Sequence, residues 1–385
     1  MVHVLRGSLW SALAVVGCLA ALPACDRASA PKPIEGHAKD EPKSLPVEPL
    51  TSAAAGSDHA PPGPDDTEAP ELVPAGSPFI PLRTIDFALY LHSPVTPALA
   101  ADAEQKVHTR FPAATLLQKP QPVPPPNVLV FAPGSEDLPV PTAEELSRFG
   151  RDLTAAQIAT AAASKGAMLF AWLLDADPTF AELRKAQLLV HEIAQKNAGF
   201  IWDDTTRELF SVESWKKARI DGWQGDIPDM RNQLTTHYYE TDTGHRAVTL
   251  GLAKLGLPDL VVQDVPPPLS GPMALVLGAI AQTFVEGGMV GADGRLALDL
   301  KAIHHPLARA GYLAAAGPTA TFRGHVTLAV VDPEEGDAEN RLAEVRFDGY
   351  PGATEAERQA AALHAMLGAI PDHVAPAKPP SPPAR

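Results

Sequence analysis

The apolar stretch MLFAWLL at residues 168–174 indicates how this chain folds. Seven consecutive apolar residues predict a short strand at the centre of a sheet, buried on both faces. Upstream, residues 85–92 (IDFALYLH) alternate between the two faces of a half-buried strand. Downstream, residues 183–193 place apolar side chains at helical spacing, in a helix that we expect Asp177 and Pro178 to open. The chain therefore mixes strands with helices.

The same reading extends over residues 79–370. Thr142 and Thr154 are each placed to cap a short helix, and Glu145 completes a capping box with Thr142. Residues 199–202 and 208–210 flank a polar turn and predict a hairpin, and a short helix is expected around Trp215. Further strands are predicted at residues 127–131, 234–240, 260–262, 296–300, 321–331 and 342–347, and helices at 98–111, 243–255, 273–285 and 354–367. The expected fold class is α+β, with mixed, partly antiparallel sheets packed with helices, after a disordered N-terminal tether.

The first 24 residues have the three regions of an export signal. Arg6 supplies a positive charge, and the apolar run at residues 9–22 is followed by Pro23, Ala24 and Cys25. The run is shorter than the about 20 apolar residues that a transmembrane helix needs. Leu22-Pro23-Ala24-Cys25 resembles the lipobox of bacterial lipoproteins, in which Leu, a variable residue, a small residue and Cys precede lipidation. Pro23 is an unusual occupant of the variable position.

The lipobox resemblance implies cleavage in front of Cys25 and three acyl chains on that cysteine. One chain binds a membrane marginally, but each buried CH₂ adds about 0.8 kcal/mol, so three chains anchor durably. The implied location is the bacterial cell envelope, with the domain facing the periplasm. Asp26 resembles the signal for retention in the inner membrane of enteric bacteria and favours that membrane. The alternative is a secretory signal cut after Ala24, with Cys25 incidental.

Composition limits the chemistry of the mature protein. The sequence has two cysteines; Cys18 leaves with the signal and Cys25 is the acyl acceptor, so no thiol remains for a disulfide, a metal site or a nucleophile. The formal net charge of −15 argues against nucleic acid, which requires a basic surface. The sequence contains no phosphate-binding glycine loop, dinucleotide fingerprint or Gly-x-Ser-x-Gly elbow, and no cofactor is predicted.

Composition also divides the chain into segments. Residues 25–78 are rich in Pro, Ala, Ser, Asp and Glu and predict the lipid anchor followed by a disordered tether. That tether is either a spacer that holds the domain away from the bilayer or a segment whose length has no function. The sequence VPPP at 265–268 marks the best internal boundary, which gives an α+β domain at 79–265 and a second α+β domain or subdomain at 266–370. Residues 371–385 predict a disordered Pro-rich tail.

Residues 237–245 (HYYETDTGH) concentrate groups capable of acid–base chemistry. His237, Glu240 and His245 are the candidate catalytic residues, although strand alternation places His237 and Glu240 on opposite faces. The competing interpretation is structural, because Asp242 or Thr243 is placed to cap a following helix. No metal site is predicted here, or at His304-His305-Pro306, which is expected to be a solvated loop.

Aromatic side chains are crowded into the same central region. Their rings could stack on sugars or grip a partner protein, since they provide large contact area at low entropic cost. The alternative is that they fill the core. The candidate binding residues are Trp202, Trp215, Trp223, Tyr238 and Tyr239.

Residues 244–260 resemble segments of uncharacterised bacterial domains of unknown function, a resemblance that covers under a third of the chain and implies no activity. The missing catalytic signatures favour a non-enzymatic envelope lipoprotein that binds an envelope protein or glycan and contacts the membrane through lipid on Cys25. The alternative is an envelope hydrolase that uses the cluster at 237–245.

Overall fold

The computed structural model describes residues 71–79, 82–111, 127–131, 135, 138–175, 179–334 and 340–368. The predicted signal, Cys25, Asp26, most of the predicted tether and the C-terminal tail lie outside these residues. The described residues belong to one compact unit.

The strands of the described residues form two six-stranded sheets and a two-stranded ribbon. The first sheet has the order β2-β4-β1-β5-β6-β3, and the second has the order β12-β13-β14-β11-β10-β9. The ribbon pairs β7 with β8. The strands are β1 Leu82–Leu91, β2 Asn127–Phe131, β3 Gly150–Arg151, β4 Gly166–Asp175, β5 Phe200–Asp203, β6 Glu208–Phe210, β7 Trp223–Gln224, β8 Ile227–Pro228, β9 Thr235–Glu240, β10 His245–Leu250, β11 Asp259–Val265, β12 Arg295–Asp299, β13 Arg323–Val331 and β14 Leu342–Arg346.

Most neighbouring strands are antiparallel. The exceptions among the described pairs are β3 with β6 and β11 with β14, which are parallel. The apolar residues 168–174 lie in β4, which pairs with β2 on one side and β1 on the other, as a central strand should. The predicted α+β class with mixed, partly antiparallel sheets is confirmed.

Eight α-helices accompany the sheets within the described ranges. Thr142, Thr154 and Thr354 each cap a helix through a reciprocal capping box, so the two predicted caps at Thr142 and Thr154 are confirmed. The helices are α1 Pro97–Arg110, α2 Ala143–Phe149, α3 Ala155–Ala162, α4 Ala181–Asn197, α5 Val212–Trp215, α6 Ser270–Val285, α7 Pro306–Ala315 and α8 Glu355–Leu367.

One hydrophobic core runs through both sheets. On the first sheet, alternate β1 residues such as Phe87 and Leu89 pack with Val107 of α1 and Val190 of α4. On the second sheet, the core residues of α6 and α8 pack with alternate residues of β11, β13 and β14, such as Val345. Helix packing therefore covers one face of each sheet.

Helix α6 is the most apolar element. Pro267–Val285 is long and apolar enough to cross a membrane by length and composition, but this is weak support because the core helix of a soluble protein passes the same test. Met273, Leu277, Ile280 and Phe284 are all fully buried in the core. In this structure α6 is a core helix.

The predicted helix at residues 243–255 is wrong. His245–Leu250 is instead strand β10, which pairs with β9 and β11, and only Ala253–Leu255 makes a short 3₁₀ turn. Because β10 is buried on both faces, its apolar positions do not alternate and imitate helical spacing. Asp242 and Thr243 therefore cap no helix. Gly256 does adopt the left-handed conformation of a terminating residue, with φ of 74°.

The predicted start of the helix at Asp177 and Pro178 lies outside the described residues, and α4 begins at Ala181. The loop predicted at His304-His305-Pro306 is corrected as well. His305 is buried and is the N-cap of α7, a helix that was not predicted: its Nδ1 accepts from the Ala308 amide at 3.2 Å and its Nε2 lies 3.1 Å from the Gly222 carbonyl oxygen. Pro306 at the first helical position fits this start.

The segment boundaries fall differently in the structure. Strands from both sides of residue 265 build the second sheet, so the change from one sheet to the other falls between β6 and β9. Residues 71–77, which composition placed in the tether, pair with the second sheet. Val330 donates to the Glu71 carbonyl at 2.7 Å, Val73 donates to Leu328 at 2.9 Å, and Gly76 exchanges two bonds with Val290. We call residues 71–77 the strap.

Candidate functional site

The structure separates His237 from Glu240, two members of the predicted catalytic cluster. His237 is half-buried on β9 and stacks on Phe149 at the end of α2, with ring centroids 6.3 Å apart and planes inclined by 10°. Burial lowers the pKa of His237, and nearby Arg207 lowers it further. Glu240, at the other end of β9, is exposed on the opposite face. These two side chains therefore do not share a site.

His245 lies directly opposite Glu240 in the β9–β10 ladder and faces the start of α6. Its Nδ1 lies 3.3 Å from the Ser270 hydroxyl, and its ring packs against Tyr238, with centroids 5.9 Å apart. The Tyr238 hydroxyl in turn donates to the Ser270 carbonyl. These contacts fasten the β9–β10 hairpin to the N-terminus of α6, which is a structural role for both rings.

The described residues contain no group of three or more His, Cys, Asp or Glu side chains arranged to hold a metal ion. An open depression of about 540 Å³ lies on α1 and α4, lined by Arg110, Lys185, His191 and Glu192 with two neighbours. Its charges are paired: Arg110 with Glu192, and Lys185 with Glu182. We interpret this depression as a solvated face of ion pairs.

Four of the five candidate aromatic residues have contacts that explain them structurally. Trp215 is fully buried. The Trp223 indole donates to the Arg219 carbonyl at 2.7 Å and to Gln187 Oε1 at 3.1 Å. Tyr238 is fastened to Ser270, and Tyr239 packs against Val248, Val261 and Leu342 on the outer face of the second sheet.

Trp202 differs because it lies half-buried beside two carboxyl groups. Its indole N–H donates to Asp204 Oδ1 at 3.1 Å. In the β1–β5 ladder Trp202 is opposite Ala88, and the next positions along the two strands are Asp86 and Asp204. The Asp204 amide donates to the Asp86 carbonyl at 3.3 Å, so these two residues also lie opposite each other. Directly opposed side chains share a face of the sheet, with Cβ atoms about 5 Å apart.

This face of the first sheet is the one that α1 and α4 leave uncovered, and we call it the acidic face: Thr84, Asp86, Trp202 and Asp204. Exposure falls along β1, from exposed Thr84 through half-buried Asp86 to buried Ala88 and Tyr90. At the buried end, the Tyr90 hydroxyl donates to the Pro139 carbonyl at 3.0 Å. The acidic face is therefore exposed to solvent at the Thr84 end and buried at the Tyr90 end.

Both carboxyl groups of the acidic face have raised pKa values. Burial, and then the nearby charge of Asp204, raise the pKa of Asp86 from its ordinary value of 3.8 to about 7. Burial likewise raises the pKa of Asp204, against its bond from Trp202. Among the described residues neither carboxyl forms a salt bridge, although Arg207 lies close enough to favour ionised Asp204. A carboxyl pair of raised pKa is characteristic of functional sites.

Sequence reasoning overlooked this pair for identifiable reasons. Alternation placed Asp86 on the polar side of β1, and Asp204 was taken as part of a hairpin turn. The register that opposes them depends on β1 and β5, which are over a hundred residues apart in sequence. Within the sequence, the only signal was the carboxylate of Asp86 in the run 85–91 (IDFALYL), whose other residues are apolar or aromatic.

A second charged cluster lies beside the first. It is buried, and each of its charged groups is hydrogen-bonded to a group of opposite charge. Lys254 Nζ donates to Asp203 Oδ2 at 2.6 Å, and Arg219 Nε donates to the same oxygen at 2.9 Å. Arg219 also bonds Glu208 Oε2 at 3.1 Å and Thr206 Oγ1 at 3.0 Å. We call these residues the junction network, because Asp203 and Glu208 belong to the first sheet and Lys254 to the 3₁₀ turn between β10 and β11 of the second.

The pKa values of the junction network follow from its geometry. Burial alone would raise the pKa of Asp203, but Lys254 and Arg219 hold it at about 2. Burial lowers the pKa of Lys254 to about 8, against the attraction of Asp203. Both groups are charged at neutral pH and each has its partner, which is the arrangement of a structural ion pair.

Comparisons with known proteins give no relative: no family model, no curated protein and no solved structure matches this chain. The residues and their geometry are therefore the basis for a functional proposal.

Proposed function

We propose that the protein is a lipid-anchored lipoprotein of the bacterial envelope whose domain binds a glycan on the acidic face, without chemical conversion of it. The observation that carries the binding proposal is the pairing of Asp86 and Asp204 beside the half-buried ring of Trp202. The lipobox ending at Cys25 supports the location.

The chemistry of the acidic face favours a glycan over a protein partner. An ionised carboxylate only accepts hydrogen bonds, so its ligand must supply donors, and sugars carry many hydroxyl donors. The negative face of an indole ring attracts the C–H edges of a sugar ring. Burial of two carboxyl groups without ion-pair partners costs free energy, which a hydrogen-bonding ligand offsets.

The anchor has a direct test. We expect radiolabelled palmitate to label the full-length protein in cells, and Cys25→Ala to abolish labelling and move the protein to the soluble fraction. The physical reason is that acyl chains supply the membrane affinity and the mutation removes their acceptor. Equal labelling of both proteins would contradict the lipoprotein proposal.

Glycan binding is tested by site-specific cross-linking in cells. A photoreactive benzoylphenylalanine at position 84 stands at the open end of the acidic face, whereas one at position 104 stands on α1, on the other face of the sheet. Residues 84–106 form one tryptic peptide, so mass spectrometry compares both positions on the same peptide. We expect a hexose-containing adduct at 84 and none at 104.

Trp202→Ala in the position-84 protein should lower the yield of that adduct about tenfold, which corresponds to a loss of roughly 1.4 kcal/mol of binding free energy. An adduct with a protein at position 84, or equal sugar adducts at 84 and 104, would show that the acidic face is not a glycan site.

A further inference from the structure

The opposed carboxyl groups stand at the end of the β1–β5 ladder. The register runs from Tyr90 opposite Phe200 to Phe87 opposite Asp203, and the Asp204–Asp86 backbone bond is the last one recorded before the chain turns through residues 204–207. Like charges directly opposite each other destabilise a strand pair. Two ionised carboxylates here would push apart the point where the hairpin turn leaves β1.

We propose that Asp86 and Asp204 form a pH-sensitive latch, which holds the turn at residues 204–207 to β1 while one of the two carboxyls is protonated and loosens it when both ionise. The latch needs no ligand, so it stands or falls separately from glycan binding. A proton on one carboxyl removes the repulsion between the two like charges.

Among the described groups around the pair, one cation, Arg207, offers a counter-charge. On β5, Asp203 faces the other side and is neutralised by Lys254 and Arg219. From the turn, half-buried Arg207 lies near Asp204.

On the remaining elements, β1 contributes Tyr90 and α2 contributes Glu145. The pKa of Tyr90 is raised by burial and then by the negative charges of Asp204 and Glu145. β4 presents Ala171 opposite Asp86. Arg207 is thus the only cation among these described neighbours, set against three carboxyl groups.

The sign of the pH dependence follows from the raised pKa of Asp86, about 7. In the unfolded chain the carboxyl ionises near its ordinary value, so between about pH 4 and 7 the folded state binds more protons than the unfolded state. The stability that depends on protonated Asp86 is therefore complete below about pH 4 and is lost as the pH rises through about 7. Buried Asp259, whose pKa is also raised to about 7, adds a similar slope, so comparison with variants is essential.

Carboxyl ¹³C NMR on the full chain tests the protonation of the two carboxyls and the coupling between them. In the wild type we expect the Asp86 resonance to titrate near pH 7 and the Asp204 resonance to show an inflection at the same pH, because the two sites are coupled. In Asp204→Asn the Asp86 midpoint should fall by at least about one unit, since the like charge has gone. The matched control, Asp226→Asn in an exposed loop, should leave the midpoint unchanged.

Amide exchange tests the latch itself. The protection factor of the Asp204 amide should fall as the pH rises through 7 in the wild type and stay constant in Asp86→Asn. The Thr241 amide, bonded to the Gly244 carbonyl at 2.9 Å in a different turn, is the reference.

Independent titration of Asp86 and Asp204 in the wild type, or an Asp86 midpoint unmoved by Asp204→Asn, would overturn the proposal. The wild-type measurement alone is decisive if a variant fails to fold.

Discussion

Lys254→Ala is expected to lower the free energy of unfolding by about 3–5 kcal/mol, because it leaves the carboxylate of Asp203 buried with half of its counter-charge removed. Lys254 and Asp203 are both fully buried, so water cannot replace the lost ammonium. The loss of stability arises where the two sheets meet. The packing there is tight, since a Cβ on Gly251 would lie 2.6 Å from Thr206 Cγ2. Urea unfolding followed by circular dichroism measures the change.

The matched control is Lys185→Ala. Lys185 pairs with Glu182 at the same distance of 2.6 Å, but its side chain is 51% exposed, so the expected loss is about 0–1 kcal/mol. If both variants lose the same small amount, the junction network does not hold the sheets together.

Trp215→Ala is expected to cost about 3–5 kcal/mol and to leave glycan cross-linking at position 84 intact in the folded fraction. Trp215 is completely buried, with its ring 5.1 Å from that of Phe87 and 5.4 Å from that of Phe210. Its indole N–H donates to the Gln187 carbonyl at 3.1 Å, so its removal leaves a cavity and ends that hydrogen bond.

Half-buried Trp202 provides the contrast, since Trp202→Ala should cost about 1 kcal/mol, as is usual for a mutation outside the core. Thermal unfolding and cross-linking yield, measured on both variants, separate the two roles. A small stability loss for Trp215→Ala, or a lost adduct in its folded fraction, would contradict this assignment.

Local sequence predicted most elements of the fold correctly. Residues 168–174 lie in a central strand, the hairpin at 199–210 forms, and the threonine caps form, because each depends on neighbours a few residues away. β10 was mistaken for a helix because tertiary burial on both sides erased the alternation by which a strand is recognised. His305 was mistaken for a loop residue because its partner, the Gly222 carbonyl, is 83 residues away in sequence.

The candidate site was predictable only in part. Trp202 was among the aromatic residues selected from the sequence, but nothing local distinguishes it from Trp215. The difference is which face of the first sheet each side chain joins, and that depends on long-range packing. Asp86 and Asp204 acquire their chemistry from strand register alone. The cluster at 237–245 was conspicuous in sequence because its polar residues are adjacent, yet adjacent strand residues point apart.

The strap has a consequence for the order of folding. It pairs Leu72 with Ala329 of β13 and Gly76 with Val290. Just after it, the Arg341 guanidinium donates to the Pro78 carbonyl across 263 residues of chain. Contacts this distant in sequence form late in folding, because bringing the two ends of the long intervening loop together costs conformational entropy. A nascent chain lacks β13 until residues 323–331 have been synthesised, so the strap stays unattached to this strand until then.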